Sequence, residues 1–183
     1  MALELRWGEP LLAEDLEDTP DDGHRYELVD GCLLVTPAPN LDHQRSLAGL
    51  YRLLHAACPA GHEVVLGPYD FKAGPSTVLI PDLIVARVDD LGRRRIERAP
   101  VLVVEIQSPS TTRIDRGTKR LAFEAAGVPA YWMLDPDTPS LTVLHLEDGR
   151  YVEHAVVSGD QPYEADRPFP VTVVPGRLHI RNE

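Results

Sequence analysis

Two apolar runs, Val78-Leu79-Ile80-Pro81-Asp82-Leu83-Ile84-Val85 and Val101-Leu102-Val103-Val104-Glu105-Ile106-Gln107, constrain the fold of this chain more than anything else in it. Near-continuous Val, Leu and Ile is the pattern of strands covered on both faces. Each run nevertheless carries one acid, Asp82 in the first and Glu105 in the second. Burying an unpaired ionised carboxylate costs on the order of several kcal/mol even after relaxation, so each acid demands a cation, a metal or strong donors. Side chains alternate along a strand, which puts Val101, Val103, Glu105 and Gln107 on one face and Ile80, Asp82 and Ile84 on one face of their own strand. If the strands are neighbours, the two carboxylates converge on one ion. Mg²⁺ takes one or two protein carboxylates together with waters and phosphate oxygens, so the pair suits a divalent metal held against a phosphate.

The surrounding pattern is mixed. A short acidic helix is predicted near Leu11 to Glu17, then a hairpin of Arg25–Val29 and Cys32–Val35 around Asp30-Gly31, where glycine supplies positive φ. Asn40 is a good N-cap for a helix to about Ala57, with His43, Leu47, Leu50 and Leu54 on one face. Strands follow at His62–Leu66, Tyr69–Lys72, Thr77–Val88 and Val101–Gln107, with Pro81 predicting a bulge or an unpaired edge. Ser108 to Thr112 reads as a loop, and a helix from about Ile114 to Ala126 ends at Gly127. Ala130–Leu134, Leu141–Leu146 and Tyr151–Val157 complete the list of strands, the last two as an antiparallel meander. The strand at Val101, the helix and the strand at Ala130 form a βαβ crossover, hence a parallel pair in a mixed sheet packed by helices.

Composition sets bounds. A chain of 183 residues with 43% hydrophobic content predicts one domain over 1–183 with a sizeable core. Cys32 and Cys58 lack CxxC spacing and read as reduced thiols, two small buried hydrophobes of a cytoplasmic protein. The first ten residues have no basic segment followed by an apolar one, so no signal peptide is expected. No apolar run approaches the roughly 20 residues that span a bilayer, so no membrane partner is expected either. The net charge of −11 argues against a nucleic-acid partner, but the charge is uneven. Residues 1–30 hold ten acids against two arginines, whereas residues 87–120 hold nine of the eighteen basic residues against five acids. Arg93-Arg94-Arg95 is either a solvated loop or a patch that steers phosphate.

Asp115, Lys119 and Phe123 fall on one helical stripe. Asp115–Lys119 is readable as a surface ion pair worth a few tenths of a kcal/mol. Alternatively Lys119, beside the apolar positions Leu121, Ala122 and Ala125, snorkels over the sheet end to reach Glu105. The ordered set of Pro81-Asp82, Glu105 in VVEIQSPST, Asp115-Arg-Gly-Thr-Lys119 and Gly127-Val-Pro-Ala-Tyr-Trp-Met-Leu-Asp-Pro136 closely resembles the Uma-type restriction endonucleases of the PD-(D/E)XK nuclease superfamily. Tyr26-Glu27-Leu28-Val29-Asp30-Gly31 and the helix bearing His43 match the N-terminal pattern of that family, and the similarity runs from about residue 10 to residue 146.

The resemblance implies a restriction-endonuclease-like three-layer α/β/α core with a mixed sheet, preceded by an N-terminal helix-hairpin-helix segment. It also implies Mg²⁺- or Mn²⁺-dependent cleavage of nucleic-acid phosphodiesters, DNA first. Carried over by position, Asp82 and Glu105 would be metal ligands and Glu27 an acid completing the site. The chain departs from the superfamily pattern at Gln107, where a lysine is expected. Family members commonly supply that lysine from the following helix, where Lys119 stands. Gln107 reads as a polar strand terminus or as a group that orients a metal-bound water. His43 reads as a buried or half-buried histidine, or as a phosphate contact or support for Glu27.

Three functions compete: a metal-dependent endonuclease, a non-catalytic nuclease-fold module binding nucleic acid or protein, and a hydrolase of some other phosphodiester. A homodimer would suit cutting both strands of a duplex. HExxH, GxSxG, P-loop and GxGxxG motifs are missing, which weakens zinc-site, serine-hydrolase and nucleotide-fold readings.

Overall fold

The computed structural model describes residues 9–108 and 111–179. The opening residues that bear on a signal peptide, and Pro109-Ser110 of the predicted loop, lie outside them. A 3₁₀ turn at Ala13–Asp18 stands where a short helix was expected. Strands β1 (Arg25–Val29) and β2 (Cys32–Thr36) pair antiparallel around Asp30 (φ 49°) and Gly31 (φ 77°), two left-handed residues that match the twist of the flanking strands. Helix α1 (Leu41–Ala57) starts at Asn40, whose side chain accepts the His43 backbone N–H at 2.8 Å. Then come β3 (His62–Leu66), β4 (Asp70–Gly74), β5 (Thr77–Leu79), β6 (Leu83–Arg87), β7 (Arg95–Ile96) and β8 (Leu102–Ile106). Segments α2 (Thr112–Ile114) and α3 (Arg120–Ala125) flank a π turn at Asp115–Lys119. Strands β9 (Ala130–Asp135), β10 (Ser140–Glu147), β11 (Arg150–Ser158), β12 (Tyr163–Ala165) and β13 (Val171–Val173) follow.

A six-stranded sheet in the order β11-β10-β9-β8-β6-β3 forms the centre. It is mixed: β8 and β9 pair parallel across the helical crossover, and the other pairs are antiparallel. Alternation along its strands sends two sets of side chains to opposite faces. Leu83, Val85, Leu102, Val104, Trp132 and Leu134 meet Leu47, Leu50 and Leu54 of α1, together with Tyr163 and Val173 of the small β12–β13 pair. Ile84, Ala86, Val103, Tyr131 and Met133 meet Phe123 of α3, together with Val29, Phe71, Leu79 and Ile96. Those last four belong to a second sheet, ordered β2-β1-β5-β4-β7. The three expected layers are present, and one outer layer is a five-stranded sheet working beside a helix. No described helix is long and apolar enough to cross a membrane.

Two expectations need correction. Thr77–Val88 is not one strand: β5 lies in the five-stranded sheet and β6 in the central one, and Ile80-Pro81-Asp82 carries the chain between them. Proline has no N–H for a ladder, so pairing stops there. Ile80, Asp82 and Ile84 therefore do not share a single strand face. The second correction concerns the predicted helix from Ile114, whose apolar positions Leu121 and Ala125 face solvent. Its inward stripe is Asp115, Lys119 and Phe123. Among the cysteines, Cys32 is exposed rather than buried, and both thiols are free.

Helix α1 seats against the C-terminal segment through Gly49, where a Cβ would lie 2.1 Å from the Leu178 carbonyl oxygen. Gly49→Ala gains up to about 1 kcal/mol of helix propensity but forces the backbones apart, at a cost of roughly 1–3 kcal/mol. Urea denaturation of the variant is expected to show a net loss of stability. A gain would mean that the C-terminal segment yields freely.

Candidate active site

The β6–β8 register sets Leu83 opposite Val104 and Ile84 opposite Val103, which brings the adjoining residues Asp82 and Glu105 to one end of the central sheet. The two strands are neighbours, as convergence of the two acids requires. Asp82 accepts the Ile106 backbone N–H at 2.8 Å and meets His43 Nε2 at 3.0 Å, both on Oδ2. Its Oδ1 accepts from Arg25 Nη1 at 2.6 Å. Burial works to raise the Asp82 carboxyl, but His43 and Arg25 outweigh it and hold the group down at about 2.

Lys119 reaches Glu105 Oε1 at 2.9 Å and Glu27 Oε1 at 2.9 Å. The helix thus delivers its lysine to the acid strand, and Asp115–Lys119 is not a surface pair: both residues are buried. The π turn over Asp115–Lys119 presents them there; such turns recur inside helices at functional sites. Glu27 is fully buried and also accepts the Ile80 backbone N–H at 2.7 Å. Tyr131 donates its hydroxyl to the Asp115 carbonyl at 3.1 Å, fixing the π turn against β9.

Burial alone would lower the Lys119 ammonium, but Glu105, Glu27 and Asp115 raise it, so it is a fixed cation. Burial pushes the Glu105 carboxyl well above its usual range, and neighbouring Asp82, Asp115 and Glu27 push the same way against Lys119. Burial likewise lifts Asp115 to about 6, with Lys119 opposing. Charge balance adds to the effect of burial. Four buried carboxylates (Glu27, Asp82, Glu105 and Asp115) face two permanent cations, Arg25 and Lys119, with His43 as a third if protonated.

A cleft of about 240 Å³ opens onto this cluster. Asp82, Glu105, Asp115, Lys119, Arg25 and His43 line it, under the Thr36–Asn40 loop. Among the described residues no three His, Cys, Asp or Glu side chains stand grouped as ion ligands. The donor chemistry still fits a hard divalent cation: the acceptors are carboxylate oxygens, negative charge is in excess, and the buried Glu27 Oε2 and Asp115 Oδ2 have no hydrogen-bond partner among the described residues.

Of the residues singled out from sequence, the structure gathers Asp82, Glu105, Lys119 and His43 at the cleft, with Glu27 behind Lys119. His43 supports Asp82 rather than Glu27. Gln107 is buried but does not line the cleft; its Oε1 accepts from Arg116 Nη2 at 3.3 Å, and its Nε2 has no partner among the described residues. Arg93 and Arg94 are exposed in the loop before β7 and Arg95 is the exposed first residue of β7; none of the three lines the cleft, and Arg95 pairs with Glu97 at 2.9 Å. Sequence reasoning missed Arg25 and the burial of Asp115. The second was signalled by Asp115 sharing a helical stripe with Phe123.

The family model described as "Uma2: Putative restriction endonuclease" matches residues 13–177. No curated protein matches the chain. Among solved structures, the chain is similar to the crystal structure of a putative nuclease belonging to DUF820 from Anabaena variabilis ATCC 29413. That likeness has a TM-score of 0.71 at 17% identity and covers 93% of this chain and 98% of the other, a likeness of fold.

The carboxyl of Asp115 rises from its ordinary value to about 6 on folding, so the folded state binds the extra proton. Stability therefore falls as pH climbs from about 4 to about 6 and stays lowered above that. Asp115→Asn in EDTA is expected to be more stable than wild type at pH 7, by on the order of 2 kcal/mol. The gain should vanish near pH 4. Equal urea midpoints at both pH values would show that the Asp115 charge carries no folding penalty.

Proposed function

The chain belongs to the Uma2 family of putative restriction endonucleases, and from that premise we propose that it is a Mg²⁺- or Mn²⁺-dependent endonuclease hydrolysing nucleic-acid phosphodiesters, DNA first. One observation carries the reading. Asp82 and Glu105 meet across adjacent strands at an open cleft, with Lys119 2.9 Å from Glu105 in place of the lysine that Gln107 replaces.

Asp82 and Glu105 are the residues to hold the ion, and Glu27 and Asp115 supply further oxygens close by. Bound there, a divalent ion would supply polarisation of a phosphoryl oxygen and a lowered pKa for a water molecule. Glu27 and the Ile80 N–H hold the inner side of the site, leaving the Lys119 ammonium aimed along Glu105 toward the cleft. Lys119 stabilises the negative charge that develops on the phosphate, which neutral Gln107 cannot do. Asp115, with its carboxyl near neutrality, is suited to exchange a proton with the attacking water. His43 and the Ile106 N–H keep the Asp82 carboxylate ionised and oriented.

The net charge of −11 favours a second reading, a nuclease-fold module that binds nucleic acid or protein without cutting. Plasmid nicking and Mn²⁺ calorimetry separate the two. Wild type should nick DNA with Mn²⁺ and not in EDTA, and Glu105→Gln should stay folded while losing turnover. Lys119→Met is expected to lose about 10²-fold or more, the scale of a removed transition-state donor, with a smaller change in Mn²⁺ affinity. It should also melt lower, because Glu27 and Glu105 are left without their cation. If wild type neither binds Mn²⁺ nor cleaves plasmid, single-stranded DNA or RNA, the binding-module reading takes its place.

A further inference from the structure

Of the two permanent cations at the cleft, Lys119 is locked and Arg25 is not. The Lys119 side chain is 5% exposed between two carboxylates, whereas that of Arg25 is 21% exposed. Among the described residues the Arg25 guanidinium makes one hydrogen bond, from Nη1 to Asp82 Oδ1. Arg25 is the first residue of β1, so its stem leaves from a strand end. Its side chain lines the 240 Å³ cleft and also a neighbouring groove of about 590 Å³ that includes Pro39, Leu47 and Ile80. The guanidinium is a wall between two spaces.

The two oxygens of Asp82 differ. Oδ2 is taken by the Ile106 N–H and His43, which leaves Oδ1 for an incoming cation, and Oδ1 is the oxygen that Arg25 holds. A planar fork of five N–H groups, engaged here through one of them, matches two phosphate oxygens better than a single carboxylate oxygen. We propose that Arg25 is an exchangeable counter-ion: it holds Asp82 until a divalent cation takes Oδ1, and once released its guanidinium clamps a backbone phosphate entering the cleft. This rests on the metal-site reading of Asp82 and Glu105 above. Arg25 then couples the two bindings. A phosphate that draws it away bares Asp82 for the ion, and an ion that displaces it frees a cation for the phosphate, by the same factor in both directions. Arg25 would touch the substrate phosphate directly, and it is distinct from Lys119, which stays on its carboxylates throughout.

The test titrates Mn²⁺ by calorimetry into wild type, Arg25→Met, Arg25→Lys and Asp82→Ala. It also measures binding of a labelled, phosphorothioate-linked DNA duplex by anisotropy, in saturating Mn²⁺ and in EDTA. Arg25→Met is expected to bind Mn²⁺ about tenfold more tightly, the scale of one charged hydrogen bond no longer competing. Mn²⁺ should tighten the wild-type grip on the duplex by a similar factor, and Arg25→Met should lack that enhancement. Arg25→Lys should keep wild-type Mn²⁺ affinity and lose most of the enhancement, since an ammonium has no fork. Unchanged or weaker Mn²⁺ binding by Arg25→Met, or an undiminished enhancement, overturns the exchange alone. Wild type that does not bind Mn²⁺, or Asp82→Ala that binds it equally well, overturns the metal-site reading and the exchange with it.

Discussion

Lys119 bridges the two sheets of this protein. Its ammonium takes Glu27 from β1 of the five-stranded sheet and Glu105 from β8 of the central sheet, and it arrives from a helical segment lying against both. A buried ion pair of this kind adds little net stability, because removing charges from water offsets most of their attraction. What it adds is position. Either carboxylate alone in an apolar interior would be costly, so the interface has one well-matched arrangement rather than several sliding ones.

That arrangement leaves the cluster short of positive charge, which distinguishes it from a core network built for stability. A closed network would match its acids with donors; here Glu27 Oε2 and Asp115 Oδ2 have no partner among the described residues, and the carboxyls of Glu105 and Asp115 are lifted. Perturbed carboxyls tend to cluster at functional sites, and here they support the proposed reading. Phe123 packs on Phe71 and Tyr131 beside them.

Much of this was legible in the residues. The Asp30-Gly31 turn, the Asn40 cap and the parallel β8–β9 pair follow from local chemistry and connectivity, whereas Asp82 converges on Glu105 from just outside the strand that was expected to present it. The Lys119–Glu105 contact is one of two readings the residues leave open, and in the sequence it rests on Leu121 and Ala125, which face solvent; the stripe that carries Lys119 inward runs through Asp115 and Phe123. Less legible were features that depend on which sheet a strand joins. Pro81 marked a break but could not say that the chain changes sheets there, and no periodicity could show that Arg25 would meet Asp82. Leu121 and Ala125 misled because small or apolar residues on a short helix do not reveal which side the sheet will cover. The segment after residue 146 carried no pattern pointing to β12 and β13, which cover part of the α1 face.

The passage at Ile80-Pro81-Asp82 bears on when the molecule can act. Asp82 stands where the chain leaves one sheet for the other, while Glu105 lies wholly within the central one. Their opposition is therefore a readout of assembly: only when both sheets have seated does the handover point settle across from Glu105. A chain with only one sheet seated has no fixed point opposite Glu105, so the proposed cleavage belongs to the finished fold alone.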